Sequence, residues 1–139
     1  MSMRGWLLAW LPVIGYCVLM FALSSVPGPK LPKPLFWHSD KVIHAVEYGI
    51  LGVLLLRALH HTFPDISHRR LVLYAVLLAV LYALSDEFHQ SYVPRRSSSL
   101  LDVVADTVGA CIACVSWGSL TIKDTDNSDG DRSTATRRG

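Results

Sequence analysis

The sequence predicts an all-α membrane protein, an antiparallel bundle of four transmembrane helices. Apolar residues make up 51% of the 139 residues, charged residues only 17%, and the mean hydropathy of +0.35 exceeds what a soluble core of this size requires. The sequence contains four apolar runs, and the length of each is close to the about 20 residues that a helix needs to cross a hydrocarbon core. The loops lack the alternation of barrel strands, so helices are the spanning structure that satisfies the backbone.

The first predicted helix covers about residues 6–24. Arg4 before this run and the segment Ala22-Leu23-Ser24 at its end also fit a signal peptide with a cleavage site. The run is longer than the roughly 7 to 15 apolar residues of a signal core, which favours a retained membrane anchor.

The second, third and fourth helices are predicted at about residues 40–59, 71–88 and 100–120. The transmembrane domain therefore occupies residues 1–122. Small residues recur every four positions in the last two helices, which predicts close helix packing. These small residues are Ala75, Ala79, Ala83, Ala105, Gly109 and Ala113.

Two segments outside the helices differ in composition. Residues 25–39 contain four prolines, which prevent a helix, among apolar neighbours such as Trp37, so we predict a connector at the membrane interface. Residues 123–139 are rich in aspartate, arginine, serine and threonine, which predicts a disordered polar tail.

The three cysteines predict no disulfide, because all lie within the apolar runs. Cys111 and Cys114 form a CxxC pair, for which helix packing is the preferred interpretation over a redox or zinc pair.

Charge bears on partners and orientation. The net charge of +2 is small and scattered, so no nucleic acid partner is expected. Membrane lipids and a lipid-linked or cell-wall-related ligand are the predicted partners, and a homo-oligomer remains open. Basic residues are balanced between the two sides until the arginines of the tail are counted, which favours a multi-pass protein of the cell membrane with both termini in the cytoplasm.

Polar motifs interrupt the apolar runs at three places that antiparallel helices bring to one side of the membrane. They lie at the start of the second helix, the end of the third and the start of the fourth. An ionised carboxylate facing lipid costs on the order of 2 to 3 kcal/mol, so these acids should point into the bundle. Spacings of three and four also place them on common helix faces. We predict an inward-facing polar chamber lined by Asp40, His44, Glu47, Asp86, Glu87, Gln90, Arg95 or Arg96, Asp102 and Asp106.

These motifs resemble those of the VanZ-like family of small membrane proteins, from Ser24 to about Ala113. Asp40-Lys41-x-x-His44-x-x-x-Tyr48 matches the family's DKxxHxxxY, Asp86-Glu87-x-x-Gln90 matches its DExxQ, and Arg96, Asp102 and Gly109 match its R, D and G. Arg95 stands where the family often has Gly, and Asp106 where it often has Asn.

The resemblance implies a role at the cell envelope. In some members of the family this role is linked to resistance against teicoplanin-type glycopeptides. It names no substrate or cofactor. The motifs and the chamber together predict these ligand-binding residues: Asp40, Lys41, His44, Tyr48, Asp86, Glu87, Gln90, Arg96 and Asp102.

Two classes of function remain open. In an enzyme acting on a lipid-linked or envelope substrate, Glu87 or Asp86 would be the general base, His44 oriented by Asp40 would exchange the proton, and Arg96 would hold an anion. In a non-catalytic protein, the chamber would bind a ligand or couple protons. The second class is preferred, because no nucleophile with an evident base or oxyanion hole occurs.

Some of the same residues also have other interpretations. Asp40, His44, Asp86 and Glu87 could together hold a divalent cation, but they lack the tight spacing of metal ligands, so no metal and no cofactor is predicted. Ser99 with Asp102 fits a capping box at the start of the fourth helix. Arg95 and Arg96 fit either interfacial anchors or a guanidinium fork for an anion.

Overall fold

Four helices make up most of the described chain. The structure is a computed structural model that describes residues 3–27, 39–96 and 98–117, with the side chains of residues 39 and 40 outside this description. The helices are α1 (Met3–Ser24), α2 (Ser39–Thr62), α3 (His68–Gln90) and α4 (Leu100–Trp117). Within these ranges no strand occurs, and all four helices are long and apolar enough to cross a membrane. The predicted all-α membrane fold is confirmed.

The first three helices extend beyond their predicted ranges into polar sequence. α2 continues through His60 and His61 to Thr62, and α3 begins at His68 with the Ser67 carbonyl accepting from the amides that follow. Apolar runs mark the part of a helix that lies in hydrocarbon, whereas the backbone hydrogen bonds continue into the interface. The predicted polar tail, and most of the predicted interfacial connector, lie outside the described residues.

α2 is the central helix and packs against α1 and α3. Trp10 Nε1 donates a hydrogen bond to Thr62 Oγ1 at 2.9 Å, and Tyr16 donates to the carbonyl of Glu47 at 3.2 Å. The beginning of α1 therefore meets the end of α2, as in an antiparallel pair. Trp10 thus joins two helices through its side chain.

α2 and α4 run in the same direction and touch through their backbones. A Cβ atom placed on Gly109 would lie 1.9 Å from the Ala45 carbonyl oxygen, and one on Gly49 would lie 3.3 Å from the Gly109 carbonyl oxygen. Gly52 faces Cys114, which is buried and, like the other two cysteines, free. Small side chains thus allow the close packing that the spacing of four predicted in α4, and in α3 the corresponding alanines are fully buried.

Candidate functional site

Buried polar side chains gather at one end of the bundle, where α1 and α3 end and α2 and α4 begin. Asp86, Glu87 and Gln90 of α3 and Asp102 and Asp106 of α4 are all buried, with Asp106 only 1% exposed. We use the name polar cluster for these five residues together with the α2 residues Lys41, His44 and Tyr48 and the loop residue Arg96. The expectation that the three motifs meet at one end agrees with the contact between Lys41 and Asp102 and with that between Glu87 and the Ser99 amide.

Two basic residues of α2 face two acids of α4. Lys41 Nζ contacts Asp102 Oδ1, and one turn deeper His44 Nδ1 lies 3.3 Å from Asp106 Oδ1. The second pair is within ion-pair distance but is not aligned as a hydrogen bond. The acid that faces His44 in the described structure is therefore Asp106. The predicted partner Asp40 has its side chain outside the described residues.

The acids of α3 are held by two different contacts. Gln90 Nε2 donates to Asp86 Oδ2 at 2.8 Å, across one turn of the same helix. The backbone amide of Ser99 donates to Glu87 Oε2 at 2.7 Å, so Glu87 joins the end of α3 to the start of α4.

The Glu87 contact corrects the capping-box prediction. Ser99 does cap α4, because its hydroxyl accepts a hydrogen bond from the Leu101 amide at 3.2 Å. A capping box would also bring the carboxylate three residues later, Asp102, back to the Ser99 amide. That amide binds Glu87 of another helix instead, and Asp102 contacts Lys41. The spacing of serine and acid along the chain cannot reveal a competing acid from a neighbouring helix.

Arg96 and Arg95 have different local roles. Arg96 Nη2 donates to the carbonyl of Leu23 at 3.1 Å, which satisfies a carbonyl in the last turn of α1. This contact differs from both predicted roles, a membrane anchor and an anion fork. Arg95 is exposed and has a φ of 58°, the left-handed conformation that glycine adopts at little cost. The glycine that VanZ-like sequences often carry at this position suits that turn.

Several polar atoms of the cluster are buried yet have no hydrogen-bond partner among the described residues. Leaving such a group unsatisfied costs about 1 to 3 kcal/mol, so native proteins rarely accumulate them without a reason. Three of the atoms are carboxylate oxygens, which accept but do not donate when ionised. The atoms are His44 Nδ1, Tyr48 Oη, Asp86 Oδ1, Glu87 Oε1, Arg96 Nε and Asp106 Oδ1.

Comparison with known proteins assigns the family. A family model described as VanZ/LLP1 matches residues 8–121. The chain belongs to the VanZ/LLP1 family. An uncharacterized protein of Schizosaccharomyces pombe is 29% identical to it over 104 residues, which cover 73% of this chain and 59% of the relative. The chain thus spans less than two thirds of that relative's length, and no solved structure matches it.

The described part of this VanZ/LLP1 chain contains no group of three histidine, cysteine, aspartate or glutamate residues that could hold a metal ion. The cation set considered from the sequence includes Asp40, whose side chain is outside that part. Glu47, expected deep in the chamber, is half-buried, and its carbonyl accepts from Tyr16.

Two residues of this VanZ/LLP1 chain that lie near the polar cluster were not predicted from the sequence. The Tyr82 ring lies 6.2 Å from the ring of Tyr48, and its hydroxyl donates to the carbonyl of Cys17 at 2.6 Å. Its position four residues before Asp86, on the same helix face, is a signal that could have identified it. His89 lies 3.0 Å from the Ser25 hydroxyl, and no pattern along the chain indicates that contact.

Proposed function

We propose that the polar cluster binds a polar ligand or couples protons at one face of the cell membrane, without carrying out a reaction itself. The observation that supports this proposal is the set of buried polar atoms that have no hydrogen-bond partner among the described residues; α2, α3, α4 and the loop before α4 contribute them, and two of them, His44 Nδ1 and Asp106 Oδ1, face each other at 3.3 Å. A hydrogen-bonding ligand would satisfy donors and acceptors together. Protons would satisfy the carboxylate oxygens of Asp86, Glu87 and Asp106 by converting them to donors.

The contacts favour binding over nucleophilic catalysis. The Ser25 hydroxyl is 3.0 Å from His89 Nε2, which is the distance expected of a nucleophile and its base. The same hydroxyl also lies 2.7 Å from the Phe21 carbonyl, to which it must donate, so it accepts from His89 and is not activated by it. The described residues show no acid in contact with His89 that would orient its ring as in a triad.

An enzyme that uses acid and base chemistry on a lipid-linked or envelope substrate is the second candidate. Glu87 Oε1 and Asp86 Oδ1 are the unpartnered atoms that favour it, because a free carboxylate oxygen is what a general base requires. His44, beside Asp106, would then exchange the proton.

We further propose that the polar cluster faces the outside of the cell, with both termini in the cytoplasm. Family membership supports a role at the envelope, and resistance to teicoplanin-type glycopeptides is the phenotype to test. In this arrangement the cluster lies on the side where such drugs and cell-wall precursors meet.

The variant Glu87→Gln separates charge from structure. Glutamine retains an oxygen that can accept from the Ser99 amide, so the link between α3 and α4 should persist while the negative charge and the basicity are lost. If the wild-type chain protects cells against a teicoplanin-type glycopeptide, we expect cells that express this variant to lose that protection. Both proteins must be present in the membrane in equal amounts.

The matched control is Asp65→Asn, which removes a carboxylate from the exposed loop at the opposite end of the bundle. This control should protect cells as the wild type does. Full protection by Glu87→Gln would contradict both a proton-coupling and a general-base role for Glu87. Absence of protection by the wild type would contradict the resistance link.

A further inference from the structure

Glu47 differs from the acids of the polar cluster because its side chain is only half-buried. It lies inside the membrane span Lys41–Thr62, about 9 Å along α2 from the first residue of that span at about 1.5 Å per residue. Its neighbours on the same stripe of α2, Ile43 and Ile50, are 54% and 46% exposed, so this stripe faces the membrane. The carboxyl group of Glu47 therefore lies at the border between the bundle and the hydrocarbon.

The carboxyl group of Glu47 has no hydrogen-bond or salt-bridge partner among the described residues. Tyr16 of α1 lies close to it, but the tyrosine hydroxyl donates to the backbone carbonyl of Glu47 at 3.2 Å. An ionised carboxylate without a partner is costly inside a membrane, whereas a protonated carboxyl group is neutral and largely avoids that cost. The position of Glu47 therefore favours its protonated form.

The charges around Glu47 do not offset the cost of ionising it. Side chains of α2, α3, α4 and the loop before α4 lie close enough to act on its charge: His44, Asp86, Asp106 and Arg96. Arg96 and a protonated His44 would only balance the two aspartates, and a neutral His44 leaves the surroundings negative. The described residues thus offer no excess of positive charge that would hold Glu47 in its ionised form.

We propose that Glu47 is a proton-binding site that faces the membrane and holds its proton at neutral pH. His44, one turn earlier on α2, lies between this site and the buried Asp106, which it approaches to 3.3 Å. The inference rests on the proposed function for its biological role, because it gives the proton-coupling form of that function a specific carboxyl group.

The test uses the full chain in phosphatidylcholine vesicles and two carbodiimides, the hydrophobic dicyclohexylcarbodiimide and a charged, water-soluble one. A protonated carboxyl group adds to a carbodiimide: its proton passes to a nitrogen and its oxygen bonds to the central carbon. Where water is excluded, the adduct rearranges to a stable N-acylurea, which mass spectrometry of peptides locates and quantifies.

We expect the hydrophobic reagent to modify Glu47 at neutral pH several-fold more than two internal controls. Asp65 lies exposed in the loop between α2 and α3, and Asp106 is only 1% exposed inside the bundle. The water-soluble reagent should modify Glu47 several-fold less than the hydrophobic one. Modification of Glu47 should also fall as the pH is raised, because the deprotonated form does not add to the reagent.

Matched variants locate the reaction. Glu47→Gln retains the size of the side chain but has no carboxyl group, so modification of this peptide should disappear. Adding Ile50→Glu to that variant moves the carboxyl group one turn along the same exposed stripe and should restore modification by the hydrophobic reagent.

Four results would overturn the inference. They are equal modification of Glu47 and Asp65 by the hydrophobic reagent, equal modification of Glu47 by both reagents, modification that does not change with pH, and failure of a folded Ile50→Glu variant to restore it. The wild-type comparison needs no variant, so the test remains decisive if a variant does not fold. Unreactive Glu47 would overturn this inference alone, whereas the proposed function is judged separately by the protection that Glu87→Gln gives to cells.

Discussion

At the scale of single residues, the backbone conformation of Arg95 explains why its departure from the family pattern matters. Its φ of 58° lies in the left-handed region, which costs a residue with a side chain roughly 1 to 2 kcal/mol. The sequence identified the position as unusual, because VanZ-like proteins often have glycine there. Only the backbone conformation explains why glycine suits the turn.

Replacing this arginine with glycine should therefore stabilise the protein. We expect Arg95→Gly to raise the free energy of unfolding by about 1 kcal/mol, since glycine adopts this conformation without the steric cost. Arg95→Val should lower it, because a β-branched residue tolerates positive φ poorly. Unfolding of the purified protein in mixed detergent micelles measures both, and a lower stability of the glycine variant would contradict the role given to the turn.

The contact between Lys41 and Asp102 gives a second prediction at this scale. Asp102 is buried, so Asp102→Asn should lower the free energy of unfolding by about 1.5 to 3 kcal/mol, the usual loss for a hydrogen bond to a charged group. The exposed control Asp65→Asn should change it by less than about 0.5 kcal/mol. The same unfolding measurement applies, and an equal effect of the two variants would argue against a structural role for the pair.

Residue partners were the least predictable feature. The motifs predicted that acids and bases gather at one end, because charged groups avoid lipid. They could not reveal that His44 faces Asp106 or that Glu87 binds the Ser99 amide. Those pairings depend on the relative rotation and depth of neighbouring helices, which no spacing along one helix contains.

At the scale of elements, α2 and α4 pack closely because glycines at their contact leave no side chain between the two backbones. Gly109→Ala would place a methyl group 1.9 Å from the Ala45 carbonyl oxygen, so the two helices must move apart. We expect a loss of at least about 1 to 3 kcal/mol, the usual cost of overpacking. Thermal unfolding in detergent, followed by circular dichroism, is the measurement.

Gly15→Ala in α1 is the matched control, because a Cβ atom there would meet no atom within 4 Å. Alanine is favoured over glycine in a helix by up to about 1 kcal/mol, so this variant should be as stable as the wild type or more stable. A Gly109→Ala protein with wild-type stability would show that the two backbones are farther apart than described.

Helix positions were more predictable than helix ends. Hydropathy reports the stretch that lies in hydrocarbon, and each apolar run became a helix. Polar ends such as His60 to Thr62 and His68 to Arg70 belong to helices for reasons of backbone hydrogen bonding, to which hydropathy is blind. The glycines of α2 that face α4 were also missed, because they do not repeat at a spacing of four.

At the scale of the whole molecule, the up-and-down order of the helices yields a prediction about sidedness. Ser98, in the loop before α4, and Ser67, before α3, are both exposed and lie at opposite ends of the bundle. With both termini in the cytoplasm, a cysteine at Ser98 should react in intact cells with a thiol reagent that cannot cross the membrane. A cysteine at Ser67 should react only after the cells are opened.

Each cysteine is introduced singly into a chain in which Cys17, Cys111 and Cys114 are replaced. The reverse labelling pattern would place the polar cluster at the cytoplasmic face and overturn the proposed orientation. Labelling of both sites from outside would contradict the alternation of the helices itself.

The backbone contact between α2 and α4 restricts how this protein can change shape. No rotamer change can relieve a collision between two main chains, so sliding or rotating one of these helices against the other would require them to separate first. We therefore expect the pair to move together. An opening that admits a molecule to the polar cluster would then come from α1, from α3 or from the loop around Arg96.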